Sequence, residues 1–513
     1  MPRRMKSFAP LLIILLLAFA LRSAPLTQNR LHPDEAWYGH FALRITSGRD
    51  PWLHEVIVDK PPLPFYLAAG SIALMAPSPR ENAIAAELAA RLPSLAAGII
   101  AVALLFQLGR SLYGCRAGVL TAFILALSPL AILFSVTVFT DSLLTAFLIA
   151  SLWTVARDRW GLSGMLFGLA FASKQTALFY LPLILAIGLL QTWRSKNKST
   201  LREILRRLIG WLLPVALCMG LILFWDILRD AEIGFWTQGY ADNNPHRLIR
   251  SSELPARFGE IVRLTHYSTG STIVNVAFLL GCFGLTIRAI RRKKINYRQA
   301  TDLVLIGFVW WYLAIYLLFA FNLWDRYLVA LVPILTLLLA RTILTTSSFI
   351  SINYSSRKRQ LLRHPFQNEY TLLSAGLIIL LFLPALRASN SRYPIGGDHG
   401  AYDGIEKVAA FLNDLEEGAV LYDHWLSWEL SFYLFDGPLY VAWIPGPAAL
   451  ATDLVTHGES SRRYIVLPGW ESFSEVESAI AAAGYDTRVQ LTTYDRKGRR
   501  SFTVYEIVPL QNS

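Results

Sequence analysis

Long apolar runs recur along most of this chain and constrain its fold more than any other feature. The first extends from Phe8 to Leu21, and ten more follow before residue 390. Of the 513 residues, 54% are hydrophobic and only 16% are charged, which is too apolar for an ordinary water-soluble protein. We therefore predict a polytopic α-helical membrane protein.

Eleven membrane-spanning segments are predicted. They cover residues 8–21, 91–109, 117–136, 141–156, 160–173, 176–191, 208–226, 272–290, 301–321, 327–344 and 370–386. The first run follows a basic start, as in a signal peptide. No small-x-small cleavage site closes it, so we predict that it is retained as a spanning helix.

The Lys and Arg side chains predict the orientation in the membrane. With the N-terminus inside, the inner segments carry 24 of them and the longer outer segments carry 13. The clearest inner clusters are Arg291-Arg-Lys-Lys294 and Arg357-Lys-Arg359. By the positive-inside rule the N-terminus is cytoplasmic, and the C-terminus is extracytoplasmic. The net charge of +12 is divided among such short clusters, which disfavours nucleic-acid binding.

The composition becomes that of a soluble domain from about residue 388. Helices are expected at 402–416, 427–435 and 474–483, and strands at 419–422, 439–443, 464–467, 489–494 and 502–508, the last two as a pair. We predict a transmembrane domain, 1–387, with large outer loops at 22–90 and 227–270, followed by an extracytoplasmic α/β domain, 388–513. The α/β domain has no phosphate loop and no nucleophile elbow, which favours binding or positioning over catalysis.

The outer loop 22–90 carries two charged motifs. In the first, His32-Pro-Asp-Glu35, the acids Asp34 and Glu35 suit a general base or metal ligand, whereas Asp34 alone also suits the start of a helix. In the second, Asp59-Lys60-Pro-Pro62, the double proline fixes the backbone. Lys60 there suits phosphate binding, and equally an ordinary snorkelling lysine at the membrane interface.

Three more ionisable residues, Asp141, Lys174 and Arg326, stand at the predicted outer ends of spans. Each alone could anchor a helix end. Because ionisable groups at that depth are costly unless they pair or line a cavity, their occurrence on one side of the membrane favours a shared site.

The outer loop 227–270 combines arginines with aromatic residues. His246 and Arg247 lie there with Trp225 and Trp236 close by. Guanidinium groups match phosphate oxygens and aromatic rings stack on sugars, which suits a sugar-phosphate head group. An interfacial helix with an aromatic belt is the equal alternative.

Taken together, the motifs resemble those of the GT-C superfamily of polyprenyl-phosphate-sugar glycosyltransferases, in the branch of the protein O-mannosyltransferases and aminoarabinose transferases (glycosyltransferase families 39 and 83). The resemblance covers about residues 8–345. It depends on the order and outer placement of these motifs: Pro33-Asp-Glu35, Asp59-Lys-Pro-Pro-Leu63, Arg91-Leu-Pro-Ser94, Thr140-Asp-Ser142, Ser173-Lys-Gln175, and Arg326-Tyr327 with Pro333.

The resemblance implies a role for each candidate residue. The implied roles are catalysis for Asp34, Glu35 and Asp141, donor-phosphate binding for Lys60, Lys174, Arg247 and Arg326, and metal binding for Asp59 and His246. Asp34 resembles the family's loop aspartate, a base for the acceptor. The chain departs from the aminoarabinose transferases where Ala36-Trp37 follows the acidic pair, so their acceptor is not implied.

The function implied by the resemblance is transfer of a sugar from a polyprenyl-phosphate donor to an extracytoplasmic lipid, glycan or protein by an inverting single displacement. A divalent metal ion is left open, and no nucleotide or redox cofactor is expected. The implied location is the plasma (inner) membrane. Two alternatives remain at this point: a transporter or lipid-linked sugar flippase, and a non-catalytic assembly subunit. Loss of Asp34 or of Asp59-Lys60 distinguishes them, since only catalysis requires these residues.

Overall fold

The computed structural model describes residues 9–75, 77–194, 200–357 and 366–510. Sixteen α-helices precede the first strand domain in the described residues: α1 (Ala9–Gln28), α2 (Pro33–Thr46), α3 (Leu63–Met75), α4 (Ala83–Tyr113), α5 (Cys115–Leu127), α6 (Pro129–Phe134), α7 (Asp141–Val155), α8 (Trp160–Ser173), α9 (Leu181–Arg194), α10 (Leu201–Arg229), α11 (Phe235–Asn243), α12 (Leu254–His266), α13 (Thr272–Ile290), α14 (Tyr297–Leu318), α15 (Val332–Arg357) and α16 (Phe366–Ser389). Short 3₁₀ helices cover Gln175–Tyr180, Ser251–Glu253 and Asp325–Leu331.

The predicted membrane-spanning segments lie in these helices. Within the described part of the chain, seven helices are long and apolar enough to cross a membrane: Ala9–Gln28, Ala83–Tyr113, Gln175–Arg194, Leu201–Arg229, Thr272–Ile290, Tyr297–Leu318 and Asp325–Thr346. Four further predicted segments fall on shorter apolar helices: Cys115–Leu127, Asp141–Val155, Trp160–Ser173 and Gly376–Ser389. The multi-pass prediction is confirmed, whereas the number eleven stays a prediction.

One predicted span is broken by a proline. Residues 117–136 form α5 and α6 instead of one helix, with Ser128 extended between them. Pro129 disfavours helical geometry in the residue before it but suits the first position of a new helix. The basic residues of the first eight positions, and Lys358 and Arg359 of the second predicted inner cluster, lie outside the described residues.

Helix α13 shows how the apolar surface is arranged. Ile273, Leu279, Leu280 and Phe283 are each more than half exposed on it. A contiguous apolar face of this kind is too costly in water and suits contact with lipid. The charged pairs of the candidate site, described below, are instead buried or only partly exposed.

The last part of the chain forms a five-stranded sheet with helices. Its elements are α17 (Ile405–Asn413), β1 (Val420–Asp423), α18 (Ser427–Tyr433), β2 (Tyr440–Trp443), α19 (Pro447–His457), β3 (Arg463–Pro468), α20 (Ser474–Ala482), β4 (Tyr485–Tyr494) and β5 (Arg500–Pro509). The strand order is β2-β1-β3-β5-β4. Strands β1, β2 and β3 are parallel, and β5 joins them through antiparallel pairs with β3 and β4. The predicted α/β character and the closing pair are confirmed, while α19 was not predicted.

Helix α18 joins the sheet domain to the bundle by packing on α2. The ring of Phe432 lies so close to Gly39 that a Cβ there would be 2.8 Å from it. The His40 Nδ1 atom is 2.8 Å from the carbonyl oxygen of Ser431. Because α2 carries Asp34 and Glu35, this contact fixes the domain against the candidate site.

The segment between α16 and α17 closes over the same region. The Gly396 amide donates to Asp325 Oδ2 at 2.9 Å, and the Arg30 amide donates to Asp398 Oδ2 at 3.3 Å. A Cβ on Gly397 would lie 2.4 Å from Glu35 Oε2. The close approach requires glycine at this position, and it places the segment directly beside the acidic pair.

Candidate functional site

The candidate site begins at the first turn of α2. Pro33 occupies the first helical position, where its fixed φ suits a helix and its missing amide hydrogen costs nothing. The His32 Nδ1 atom accepts a hydrogen bond from the Asp34 amide at 3.3 Å. Asp34 therefore lies at the positive end of the helix dipole, which stabilises its carboxylate.

Glu35, the second acid of this motif, is fully buried. Its Oε1 accepts from Arg91 Nε at 3.2 Å and from the Val138 amide at 3.0 Å. Its Oε2 accepts from the His32 amide at 3.1 Å. Both carboxylate oxygens are thus occupied by the protein, which is the environment of a positioning group.

Arg91, the first residue of the motif Arg91-Leu-Pro-Ser94, supports the site by holding its backbone. Its guanidinium also donates to the carbonyl oxygens of Leu26, Asn29 and Arg30, at 3.2, 2.8 and 2.8 Å. These carbonyls belong to the end of α1 and the turn into α2. Arg91 and Glu35 together therefore hold the turn that presents Asp34.

The Asp34 carboxylate pairs with Arg326 across 292 positions of sequence. Arg326 Nη1 donates to Asp34 Oδ2 at 2.5 Å, and the guanidinium lies 5.1 Å from the centroid of the Phe139 ring. The two side chains keep 24% and 18% of their surface exposed, so the pair is accessible. A paired but accessible carboxylate of this kind could take up a proton from a bound hydroxyl group.

The Asp59 and Lys60 side chains form a second ion pair, just before the double proline. Lys60 is 7% exposed. The Asp59 carbonyl accepts from Gln175 Nε2 at 2.8 Å, and a Cβ on Gly239 of α11 would lie 2.6 Å from that same carbonyl oxygen. The motif is therefore clamped between the 3₁₀ helix after α8 and helix α11.

A third pair joins the start of α7 to the end of α8. Lys174 Nζ donates to Asp141 Oδ1 at 2.6 Å, and both residues are almost completely buried. The Lys174 ammonium also lies 5.1 Å from the centroid of the Tyr327 ring. A buried ion pair is tolerated only with additional partners, and the aromatic ring supplies one.

These three pairs converge around Tyr38, one helical turn after Asp34. The Tyr38 hydroxyl interacts electrostatically with Asp59, Arg326, Asp34 and Asp141. Burial is the main cause that raises the pKa of Tyr38 well above its ordinary value, and the neighbouring carboxylates add to it. Tyr38 therefore remains a neutral hydrogen-bonding group in the middle of the cluster.

Arg247 and His246 are not part of this convergence. Arg247 makes two hydrogen bonds to Glu253, at 2.7 and 2.8 Å, and these lower the pKa of Glu253 to about 2. His246 is exposed, with a left-handed φ of 53°. Their loop nevertheless adjoins the bundle, because the Ala320 amide donates to the Arg247 carbonyl at 3.1 Å.

The metal prediction for Asp59 and His246 gains no geometric support. Among the described residues, no group of three or more His, Cys, Asp or Glu side chains could hold a metal ion. Asp59 is already neutralised by Lys60, and the carboxylates of Asp34 and Asp141 also have cationic partners. The donor set described here fits ion pairs better than metal coordination.

Sequence reasoning missed two groups of the site, Tyr38 and Glu429. Tyr38 is four residues after Asp34, so helical periodicity could have placed both on one face of α2. Glu429 lies on α18, and burial raises its pKa to about 7, with the charges of Asp423 and Asp34 acting in the same direction. Within the described part of the chain, Glu429 Oε1 has no hydrogen-bond partner. No sequence signal pointed to Glu429.

Comparisons with known proteins bear on the sequence and the fold separately. Residues 59–223, about a third of the chain, match the family described as dolichyl-phosphate-mannose-protein mannosyltransferase. That segment contains Asp59, Lys60, Asp141 and Lys174. A search of curated protein sequences gives no match.

Solved structures match along almost the whole chain. The crystal structure of ArnT from Cupriavidus metallidurans in the apo state matches with 15% identity and a TM-score of 0.61, and its undecaprenyl-phosphate complex with 14% and 0.59. Both alignments cover 96% of this chain and 97% of ArnT. The Archaeoglobus fulgidus oligosaccharyltransferase matches with 12% identity and a TM-score of 0.52, over 98% of this chain and 74% of its own.

The chain has the GT-C glycosyltransferase fold. The predicted resemblance and fold class are thereby confirmed. The family match over residues 59–223 also indicates a glycosyltransferase, on the basis of the sequence. These findings give the transporter or flippase alternative no support. At 12 to 15% identity the structural matches show the fold alone. The role of each candidate residue in this chain is therefore argued below from its own contacts.

Proposed function

We propose that this chain transfers a sugar from a polyprenyl-phosphate donor to an extracytoplasmic acceptor by inverting single displacement. The observation that carries the proposal is the convergence of three ion pairs at one end of the bundle: Asp34 with Arg326, Asp59 with Lys60, and Asp141 with Lys174. The acceptor is a lipid, glycan or protein. ArnT in complex with undecaprenyl phosphate, and the oligosaccharyltransferase with dolichol-phosphate and a peptide, support this donor and acceptor chemistry.

The charge balance of the cluster suits a phosphate leaving group. Three carboxylates offset three cations, so the three pairs together are close to neutral. A sugar phosphodiester brings one negative charge, and departure of the lipid phosphate adds negative charge on its oxygens. Lys60, Lys174 and Arg326 are fixed beforehand where that charge develops, which lowers the barrier without a proton donor.

Among the acids, Asp34 is our candidate base. Its side chain is 24% exposed, whereas Glu35 and Asp141 are buried and held by Arg91 and Lys174. Asp34 would take the acceptor proton as the acceptor oxygen attacks the anomeric carbon and the bond to the phosphate oxygen breaks on the opposite face. We propose positioning roles for Glu35 and Asp141.

Arg247 and His246 are proposed as peripheral contacts of the donor. Their loop follows α11, and Asn243 at the end of α11 accepts from the Tyr327 hydroxyl at 3.1 Å. Arg247 would have to exchange Glu253 for a phosphate to contribute. A divalent metal ion at Asp59 and His246 stays a prediction from the family resemblance. A crystal structure of the oligosaccharyltransferase contains Zn and sulfate, and no step above depends on a metal ion.

For the topology we propose an N-terminus in the cytoplasm and a location in the plasma (inner) membrane. The division into a transmembrane domain, 1–387, and an extracytoplasmic domain, 388–513, follows from that orientation. The site would then open outward, between the large loops 22–90 and 227–270. The excess of Lys and Arg in the segments predicted to be inner supports this arrangement.

The test is sugar release by the purified full-length protein from a panel of undecaprenyl- and dolichyl-phosphate sugars. Asp34→Asn and Lys60→Ala should each reduce turnover of the accepted donor at least about a hundredfold, which corresponds to about 2.7 kcal/mol of barrier. Asp34→Asn should do so mainly through kcat, because the amide keeps the shape of the side chain but cannot take the proton.

Asp158→Asn is the matched control. Asp158 lies between α7 and α8, at the ends of these helices opposite to Asp141 and Lys174, and pairs with Arg207 at 2.8 Å. The same substitution in an ion pair away from the site should leave turnover within about twofold. Equal losses in Asp34→Asn and Asp158→Asn would contradict a catalytic role for Asp34. Absence of release from every donor, with folded protein and added acceptor extract, would contradict the proposed reaction.

A further inference from the structure

A basic cavity lies at the opposite end of the bundle from the candidate site. It measures about 370 Å³ and is lined by residues of three helix ends, including Arg110, Arg194 and Arg298. Arg110 belongs to the last turn of α4, Arg194 ends α9, and Arg298 is in the first turn of α14. The three segments are far apart in sequence, so the fold alone brings the three guanidinium groups to one cavity.

In the part of the chain that the structure describes, these arginines lack the acidic partners that basic residues have at the candidate site. Among the described residues, Arg110, Arg194 and Arg298 take part in no ion pair, and no acidic side chain lines the cavity. Asp302 is one helical turn beyond Arg298, the usual distance for a pair on a helix. Its carboxylate instead accepts from Arg341 Nε at 3.1 and 3.2 Å. Within the described residues, no acidic side chain therefore offsets the positive charge of the cavity.

The cavity also has groups that suit a phosphate ester. The guanidinium of Arg194 lies 4.7 Å from the centroid of the Tyr297 ring, which orients its planar fork. Asn296 caps α14 by accepting from the Gln299 amide at 3.0 Å, so an ordered helix N-terminus faces the same cavity. Helix N-termini and arginine forks both favour phosphate oxygens.

Its depth matches the level of lipid head groups. The cavity lies where α4 and α9 end and α14 begins, and these helices, with the 3₁₀ turn before α9, are long and apolar enough to span. Trp193, beside Arg194, is 60% exposed, as in the aromatic belts at membrane interfaces. A soluble anion would need no such position, whereas the phosphate of a phospholipid is found there.

We propose that this cavity, lined by Arg110, Arg194 and Arg298, binds the phosphate head group of an anionic phospholipid. The site is separate from the proposed donor site, at the other end of the bundle. Basic pockets between membrane helices are suited to such head groups because guanidinium groups offset the phosphate charge. The bound lipid would tie together the ends of α4, α9 and α14.

The test uses delipidated full-length protein and native mass spectrometry with phosphatidylglycerol or phosphatidylcholine as the probe. We expect retained phosphatidylglycerol on the wild type, and at least tenfold weaker retention in the triple variant Arg110→Gln, Arg194→Gln, Arg298→Gln. The matched control is Arg291→Gln, Arg292→Gln, Lys293→Gln, which removes the same charge from the neighbouring loop outside the cavity lining. This control should retain the lipid as the wild type does.

Several outcomes would overturn the proposal. Equal loss in both triple variants would mean a general charge effect, and equal retention of phosphatidylcholine would mean no anion site. Protection of the wild type against thermal unfolding by inorganic phosphate alone, as strongly as by phosphatidylglycerol, would mean a free-phosphate site. If the triple variant does not fold, Arg298→Gln alone must weaken lipid retention at least threefold for the proposal to stand.

Discussion

The candidate site and the basic cavity at the opposite end of the helix bundle use charge in opposite ways. At the candidate site the cations of Lys60, Lys174 and Arg326 are each paired with a carboxylate. At the other end Arg110 and its neighbours have no acidic partner in the described structure. Among the described residues, the sheet domain contacts the bundle at the first end, where α18 packs on α2. In these two places the buried or partly buried cations are the paired ones, and the exposed arginines are the unpaired ones, as expected from the cost of burying a charge without a partner.

The largest expected difference between the ends concerns stability. Lys174→Met leaves Asp141 buried without a partner and should lower the free energy of unfolding by about 3–5 kcal/mol. Arg207→Met removes the partner of the exposed Asp158 and should cost about 0–1 kcal/mol. Denaturant or thermal unfolding of the two variants in the same detergent measures both values.

A control distinguishes loss of the pair from loss of packing. The double variant Asp141→Asn with Lys174→Met removes both charges and should recover part of the lost stability. Similar losses in Lys174→Met and Arg207→Met would break the comparison, because the two ends would then tolerate unpaired charge equally.

The next effect is a pH dependence of the free energy of unfolding, which arises from Glu429 in the sheet domain. Glu429 has its pKa raised to about 7 in the fold from an ordinary 4.5. The folded state therefore binds more protons than the unfolded state, so this group's contribution falls as the pH rises from about 4.5 to about 7. Glu429→Gln should gain about 3 kcal/mol relative to the wild type between these limits.

Thermal unfolding of both proteins at about pH 5 and about pH 8 measures this gain. Glu416→Gln, an exposed glutamate paired with Arg462 in the same domain, is the matched control and should show no such gain. A difference between Glu429→Gln and wild type that does not change with pH would contradict the raised pKa.

A smaller effect is expected at the Asp34 pair. Arg326→Lys keeps the positive charge but loses the planar fork that contacts Asp34 and lies against Phe139. We expect kcat/KM for the accepted donor to fall about tenfold, which is about 1.4 kcal/mol. Arg263→Lys makes the same change at the exposed pair with Glu260 and should leave kcat/KM within about twofold. Full activity of Arg326→Lys would reduce the role of Arg326 to its charge alone.

The smallest effect concerns the contact between the domains. Trp37 of α2 and Trp428 of α18 stack with their ring centroids 6.0 Å apart. Trp428→Ala should lower the free energy of unfolding by about 1 kcal/mol, and Trp428→Phe should retain most of it. Thermal unfolding of the two variants measures this difference. Unchanged stability in Trp428→Ala would show that the contact between α18 and α2 depends on other side chains, such as Phe432 against Gly39.

The sequence was sufficient to predict which residues share an end of the bundle. Asp34, Asp59 and Lys60 were expected in the outer loop 22–90, and Asp141, Lys174 and Arg326 at the outer ends of spans. The structure brings these six together. The apolar runs make this possible, because they determine which loops lie on which side. Their catalytic roles stay predictions until they are measured.

The partners of these residues could not be predicted. Asp34, in the first turn of α2, meets Arg326, in the 3₁₀ helix Asp325–Leu331, across 292 positions of sequence, and such a contact depends on how several helices pack. Arg247 lies apart because Glu253, six residues on, holds it. The burial of Glu429 could not be predicted for a related reason, because it arises from the docking of α18 on α2 and not from a local sequence pattern.

The docking of α18 on α2 also bears on how the enzyme is made. Tyr433 donates to the buried Glu87 at 2.7 Å, and its hydroxyl accepts from the Leu31 amide at 3.2 Å. The turn before Asp34 therefore acquires its last partners only after residue 433 has left the ribosome, some four hundred residues later. The helices can be inserted in order during synthesis, but a nascent chain carries an incomplete site until its final third has folded. The proposed activity would therefore begin only after the sheet domain has docked on α2.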